Sequence, residues 1–332
     1  MIEAASTKTR CLIFTGNDAA RALKDPTEIS EILKEDHTFV WFDLADPSAA
    51  DLKLLQEEFD LHPVAIEDAA LAHERPKIDT YDRYALLVVH GAILDGAGNL
   101  QIGELALFVG KNFVVTIRTT PLFPLTEIEK RWQSHWGPIP RDPFGLLYVV
   151  LDAIVDSYYP VMHLYDERLE HIETHIFEEN RKSAEMLREI FALKRDLQKF
   201  RRAAGPMRDI VQTLLRGDIQ TVEPAVVAYL RDVYDHSLRV LDQIETQRDL
   251  TNSALDVHLS SQSQKQGEVN KQLTIIATIF LPLTYITGFF GQNFAHMVSF
   301  ITPPWTFWYL GVGGQLLTLV VLLAYFRYKR WF

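Results

Sequence analysis

The sequence predicts an integral membrane protein of α+β class, with a large soluble N-terminal part, a long stalk helix and two membrane-spanning helices at its C-terminal end. Three observations predict this. Between Lys271 and Arg327 there is no Asp, Glu, Lys or Arg for 55 consecutive residues, in a 332-residue chain that is 23% charged overall. Residues 11–118 alternate short apolar runs with Gly- and Asn-bearing turns, the pattern of strands mixed with short helices. From residue 142 onward helical periodicity dominates, and no proline falls between Pro224 and Pro282.

The charge-free stretch divides into two apolar runs, 272–292 and 305–326. Each is close to the length of about 20 residues that crosses a bilayer's hydrocarbon core. The connector 293–304 joins them into a membrane hairpin. All 44 acidic residues and 30 of the 33 basic ones precede Gln272, so the soluble part carries 30 positive against 44 negative charges, a net −14. The tail 327–332 holds Arg327, Lys329 and Arg330 and no anion, and Lys265 and Lys271 stand just before the first span. Cations at both outer ends of the hairpin place both termini in the cytoplasm and the connector outside, in the cell's inner (plasma) membrane. No signal peptide is expected, because residues 4–10 are polar and the run Cys11-Leu12-Ile13-Phe14 is too short. The single cysteine excludes an intrachain disulfide and suits packing in a strand better than reactivity.

Within the soluble part, 11–15 and 38–44 read as short strands. Asp46-Pro47-Ser48 starts an amphipathic helix with Leu52, Leu55 and Phe59 at helical spacing, and Pro63 opens a second helix through Leu71. Residues 84–94, 100–109 and 113–118, with turns at Asp95-Gly96, Gly98-Asn99 and Lys111-Asn112, read as an antiparallel meander. The organisation follows: 1–140 a cytoplasmic α/β domain, 141–222 a charged helical hairpin region broken at Gly205-Pro206, and 223–292 a stalk helix continuous with the first span. Then come the external loop 293–304, the second span 305–326 and the basic tail 327–332. A helix from Pro224 to Gln292 would be about 100 Å long, which outruns ordinary globular helices.

A two-helix hairpin cannot enclose a polar path alone, so transport would require several subunits to pool their helices. Along the first span Asn270, Leu273, Ala277, Leu281, Thr284, Gly288 and Gly291 recur at spacings of three and four and share one stripe of largely small or mildly polar character. The stripe fits the lining of a pore, and it equally fits close helix packing of the small-xxx-small kind. Gly311, Gly313 and Gly314 in the second span fit packing better. The polar run 260–267, placed just before the span on a continuous helix, can line a wet cytoplasmic mouth.

These motifs resemble a family. Asn270-Lys271-Gln272-Leu273-Thr274-Ile275-Ile276-Ala277-Thr278-Ile279-Phe280-Leu281-Pro282-Leu283-Thr284, with Thr287-Gly288 and Gly291-Gln292-Asn293-Phe294, is similar to the first membrane helix of the CorA-type divalent-cation channels. Trp41-Phe42-Asp43-Leu44, His62-Pro63 with Glu67-Asp68, Arg75-Pro76-Lys77, Arg231-Asp232-Val233-Tyr234-Asp235-His236 and the ending Tyr325 to Trp331 fall in that family's order. The resemblance implies a cytoplasmic domain in α/β/α layers, a funnel-shaped homopentamer in contact with membrane lipid, and passive uptake of Mg²⁺, with Co²⁺ and Ni²⁺ as further permeants. It implies a filter at Gly291, Gln292 and Asn293, a pore lined by Asn270, Leu273, Ala277, Leu281, Thr284 and Gly288, and a regulatory metal site between subunits at Asp68 and Asp232, with Glu67 and His236 beside them. Mg²⁺ is then both cargo and regulator; no organic cofactor and no nucleic-acid partner is expected. No phosphate-cradling Gly–Lys loop occurs, in keeping with transport driven by membrane potential, which supplies about 4.6 kcal/mol per divalent ion at 100 mV.

The residue chemistry is consistent with that picture. Mg²⁺ sheds its water reluctantly, and a ring of neutral amide oxygens accepts hydrogen bonds from its first hydration shell without stripping it. Leu273, Ala277 and Leu281 would form a narrow apolar stretch that gates by excluding water. The chain departs from the family pattern at Gln292, where Met is commonest, at Asn270, where a bulky apolar residue is common, and in its acid-free external loop. The competing readings are a ZntB-like Zn²⁺ transporter of the same superfamily and a tail-anchored metal-dependent enzyme. The latter would use His171-Ile172-Glu173-Thr174-His175, whose order is not that of a zinc hydrolase and whose setting is a charged surface helix.

Overall fold

The structure is a computed structural model describing residues 9–16, 20–23, 25–71, 75–118, 125–133, 139–177, 183–217, 224–292, 294–295, 298–299 and 304–331. The chain divides into two compact units, Met1–Leu255 and Asp256–Phe332.

The first unit is built on a seven-stranded sheet of β1 (Thr9–Thr15), β2 (Arg21–Ala22), β3 (Thr38–Ala45), β4 (Lys77–Thr80), β5 (Tyr84–Leu94), β6 (Leu100–Gly110) and β7 (Phe113–Arg118), in the order β2-β1-β3-β7-β6-β5-β4. The β5–β6–β7 meander is antiparallel, as its turn residues predict. Among the described residues the one parallel pair is β3 with β7, Val40 standing opposite Phe113. This pairing places β3 centrally, and 38–44 is accordingly buried at every position, as strands covered on both faces are.

Helices cover each face of the sheet, the expected α/β/α layering. On one face lie α1 (Ile29–Ile32), α2 (Ala49–Phe59) and α3 (Pro63–Ala70), whose Leu55, Phe59 and Ala65 pack with Val40, Phe42 and Leu44. The start of α2 is set by a capping box: the Ser48 hydroxyl accepts from the Asp51 N–H while the Asp51 carboxylate accepts from the Ser48 N–H. On the other face lie α4 (Leu125–Gln133), α5 (Pro143–Asp156), α6 (Tyr158–His175) and α7 (Ser183–Arg216). Leu147, Leu151, Tyr158 and Tyr165 join Trp41, Leu87 and Leu107 in that core. Cys11 is buried in β1 among apolar neighbours, which push its thiol up to about 12 and make it inert.

Two features of the helical region differ from the sequence reading. The periodic stretch after residue 142 is divided at Ser157, where α5 ends and α6 begins, and α5 is a core helix rather than a charged one. The break expected at Gly205-Pro206 does not occur, for α7 runs through it. Proline forfeits one backbone hydrogen bond, but Phe200, Ala203, Ala204, Met207, Ile210 and Val211 keep one buried face across the site, and that continuous burial outweighs the loss. Gly217, at φ +77°, ends α7. On α6, exposed His171 bonds Glu189 through Nδ1 at 3.1 Å, and His175 Nδ1 bonds the His171 carbonyl at 2.7 Å.

Helix α8 (Pro224–Phe290) is 67 residues long, beginning in the first unit and ending in the second. The second unit also holds a short turn Pro304–Thr306, a π-helical segment Phe307–Gly313 and α9 (Gly314–Tyr328). Among the described residues, three stretches are long and apolar enough to cross a membrane: Pro143–His175, Pro224–Phe290 and Phe307–Tyr328. The first has 61% of its apolar window buried inside the protein, so it is core; the other two have none of theirs buried and are the candidates to span a membrane.

Candidate functional site

The apolar end of α8 carries the first group of predicted residues. Asn270, Leu273, Ala277, Leu281, Thr284, Gly288 and Gly291 are all exposed, whereas Ile275, Ile279, Leu283, Ile286 and Phe290 are half-buried. The stripe is thus uncovered within one chain, as are Ile276, Phe280, Tyr285 and Phe289 elsewhere on the helix. Around Gly288 there is open space. The helix closes with the Gly291 N–H donating to the Thr287 carbonyl at 3.0 Å and the Gln292 N–H to Phe289 at 3.3 Å. Asn293, the third residue of the predicted filter, lies outside the described residues, as does His296 in the loop.

The second group lies in the soluble unit, and the structure sorts it differently from the sequence. Asp232 and His236 stand one turn apart on α8, with His236 Nε2 3.6 Å from Asp232 Oδ1. They are joined by Asp152 of α5, so that one ligating atom from each of the three lies within 4.8 Å of the others. Asp68 is instead held by Lys77 at 2.6 Å, and that carboxylate raises the Lys77 ammonium well above its ordinary range. Glu67 is exposed on α3. Neither Glu67 nor Asp68 belongs to the Asp152–Asp232–His236 group within the chain.

The sequence does not set Asp152 apart from the many other acids of the charged region 141–222. The overlooked signal is its setting, since it interrupts Leu146 to Val155, an otherwise apolar run on a buried helix. Burial pushes its carboxyl up to about 6, and the neighbouring charges of Asp156 and Asp232 add to this against Arg131 and His236. Arg131 lies 2.9 Å from Asp156 and 3.6 Å from Asp152, so a single cation faces two acids there. The His236 Nδ1 is buried with no hydrogen-bond partner among the described residues. Two carboxylates and an imidazole, one of them ionised at a cost, make a donor set that a divalent cation would satisfy.

A chain with two bare apolar spans, a small-residue stripe along one of them and a carboxylate–imidazole cluster in its soluble unit has the attributes of a membrane transporter for cations. Residues 36–330 match the family model described as CorA-like Mg2+ transporter protein, and the chain belongs to that family. It is 32% identical over 313 residues, 92% of this chain and 87% of the relative, to the cobalt/magnesium transport protein CorA of Thermotoga maritima. Its fold matches the complete CorA magnesium transporter structure from Methanocaldococcus jannaschii with a TM-score of 0.81 at 21% identity, covering 97% of this chain and 98% of that one. The cytoplasmic domain of ZntB from Vibrio parahaemolyticus shares the fold over 77% of this chain and 98% of that domain, with a TM-score of 0.61 at 12% identity. Membership of a transporter family, whose members are not enzymes, removes the tail-anchored enzyme reading.

Proposed function

We propose that this chain assembles as a homopentamer in the inner (plasma) membrane, with both termini cytoplasmic, and conducts divalent cations passively into the cell, Mg²⁺ above all and Co²⁺ and Ni²⁺ in addition. The observation that carries the reading is the stripe of largely small or mildly polar residues from Asn270 to Gly291, exposed along an otherwise apolar helix. Five such stripes facing one axis enclose a path that a single hairpin cannot. Gly291, Gln292 and Asn293 form the outer filter, Leu273, Ala277 and Leu281 the apolar constriction, and Thr284 and Gly288 the stretch between them. Intracellular Mg²⁺ acts at Asp68 and Asp232 between neighbouring subunits, with Glu67, His236 and Asp152 around them. The test is uptake of Mg²⁺, Zn²⁺, Co²⁺ and Ni²⁺ into proteoliposomes side by side, together with mass photometry in mild detergent. Uptake led by Mg²⁺ and a five-chain particle are expected. Uptake led by Zn²⁺ would support the ZntB-like alternative, and a stable monomer would defeat the shared pore.

Asp152 provides a check on the regulatory site. Its charge is held in a partly buried place beside two other acids, so the metal-free protein carries a repulsion that a bound cation relieves. Asp152→Asn should raise the thermal midpoint without divalent cation by roughly 2–4 °C. It should also shrink the further rise that Mg²⁺ produces. An unchanged response to Mg²⁺ in the Asn variant would remove Asp152 from the site.

A further inference from the structure

Thr287 of α8 and Gln315 of α9 form a hydrogen bond between the two spans. The Gln315 Nε2 donates to Thr287 Oγ1 at 2.8 Å, and the Thr287 hydroxyl donates in turn to the Leu283 carbonyl at 2.9 Å. The donor–acceptor order is fully used: a hydroxyl that gives its proton to the helix backbone keeps its lone pairs for an amide. Gln315 stands in a span with no charged residue before Arg327, where an unpaired amide would be poorly tolerated in hydrocarbon.

Immediately before Gln315, the segment Phe307–Gly313 is π-helical. Each extra residue taken into a wider turn shifts the azimuth of everything after it by about 100° relative to an unbroken α-helix. The π segment therefore decides which side of α9 Gln315 occupies. A Cβ at Gly313, its last residue, would stand 3.3 Å from the Trp308 carbonyl, five residues back, a tight fit for any side chain. Thr287 flanks the exposed stripe of α8, three residues beyond Thr284 and one turn before Gly291, whose N–H bonds the Thr287 carbonyl. One residue thus ties the mouth of the stripe to the second span.

We propose that Gln315 is a positioning residue for ion conduction: aimed by the π-helical segment of the second span, its amide holds Thr287 and thereby sets the orientation of α8 at Thr284, Gly288 and Gly291. This inference rests on the transport reading above for its functional part, while the contact itself stands independently of it. Losing the bond leaves the helices long and apolar enough to insert, and lets the outer end of α8 rotate or tilt away from the arrangement that presents its carbonyls and small residues to the ion.

The experiment compares wild type, Thr287→Val, Gln315→Leu, the double variant and Thr287→Ser in proteoliposomes, each with its elution profile in detergent. Each disruptive single variant should lower the maximal Mg²⁺ uptake rate by about fivefold, the size of an interhelical hydrogen bond in a membrane, with the half-saturating Mg²⁺ concentration unchanged. The double variant should be no slower than the slower single one, and Thr287→Ser, which keeps the hydroxyl, should match wild type. Single variants at the wild-type rate, or losses that multiply in the double variant, would overturn the proposal. In parallel, Thr287→Cys with Gln315→Cys in a Cys11→Ser chain is treated in native membranes with a short bis-maleimide. A cross-link within one chain joining positions 287 and 315 is expected, and its absence overturns the contact. If wild type moves no divalent cation while the cross-link forms, the transport reading fails and the conduction role with it, but the contact survives. If wild type transports and the variants do so equally, the positioning role alone fails.

Discussion

Asn293→Ala should yield a protein that reaches the membrane and assembles normally yet no longer takes up Mg²⁺. Under the proposed reading, Asn293 contributes one neutral amide oxygen per subunit to a ring at the outer end of α8, just past Gly291 and Gln292. Mg²⁺ keeps its water tightly, so the ring must accept hydrogen bonds from bound water rather than replace it. An amide oxygen suits that task, and a methyl group offers nothing to the hydrated ion. With each water-mediated hydrogen bond contributing about 1 kcal/mol and five lost together, uptake should fall on the order of a thousandfold. Gln292→Ala should cost far less, since the family pattern most often has Met at that position, whose side chain offers no amide oxygen to the hydrated ion. Fluorescent-indicator uptake in proteoliposomes, with the elution profile as the assembly control, makes the measurement. Wild-type uptake in Asn293→Ala would sink the filter assignment.

The second large effect is expected from Asp68→Asn combined with Asp232→Asn. Within one chain Asp68 is neutralised by Lys77 at 2.6 Å, whereas Asp232 lies beside Asp152 and His236. A cation bridging Asp68 of one subunit to Asp232 of the next must therefore compete with Lys77 for Asp68, and in return it relieves the crowding of Asp156 and Asp232 around Asp152. Removing both carboxylates removes the ligand charge and the repulsion together. Mg²⁺-dependent protection from proteolysis should disappear, and the Mg²⁺ concentration that half-inhibits flux should rise at least about tenfold, the ordinary size of a coupling between sites. If protection and inhibition persist unchanged, the sensor is formed by other residues, with Asp152 and His236 the next to be replaced.

Much of this protein was legible from its amino-acid order because the strongest signals in it are local. A membrane span must satisfy its backbone internally and present apolar side chains for its whole length, so 272–292 and 305–326 announce themselves by the absence of charge. The meander was legible for a similar reason: the mainly apolar runs Tyr84–Leu94, Leu100–Gly110 and Phe113–Arg118, with turn residues between, specify neighbours that pair through short connections. The Asn270-to-Gly291 stripe followed from spacing alone. Chain order also supplied Ser48, which caps α2, and Pro63, which opens α3, because capping involves residues only a turn apart.

Tertiary structure decided whatever depends on partners distant in the chain. The parallel pairing of β3 with β7 joins residues some seventy positions apart, and no local pattern distinguishes it from other pairings of apolar strands. The continuity of α7 through Gly205-Pro206 was settled by the face it buries, a term that propensity does not contain. Asp152 looked like one acid among many until folding set α5 against α8 and brought it to Asp232 and His236. The π-helical turn before Gln315, and with it the bond to Thr287, likewise has no sequence signature beyond a group of glycines. Local periodicity and composition therefore determined the class, the spans and most elements of this chain. The juxtapositions that give single residues their chemistry arose from packing, because burial and charge act between side chains that only the completed fold brings within reach.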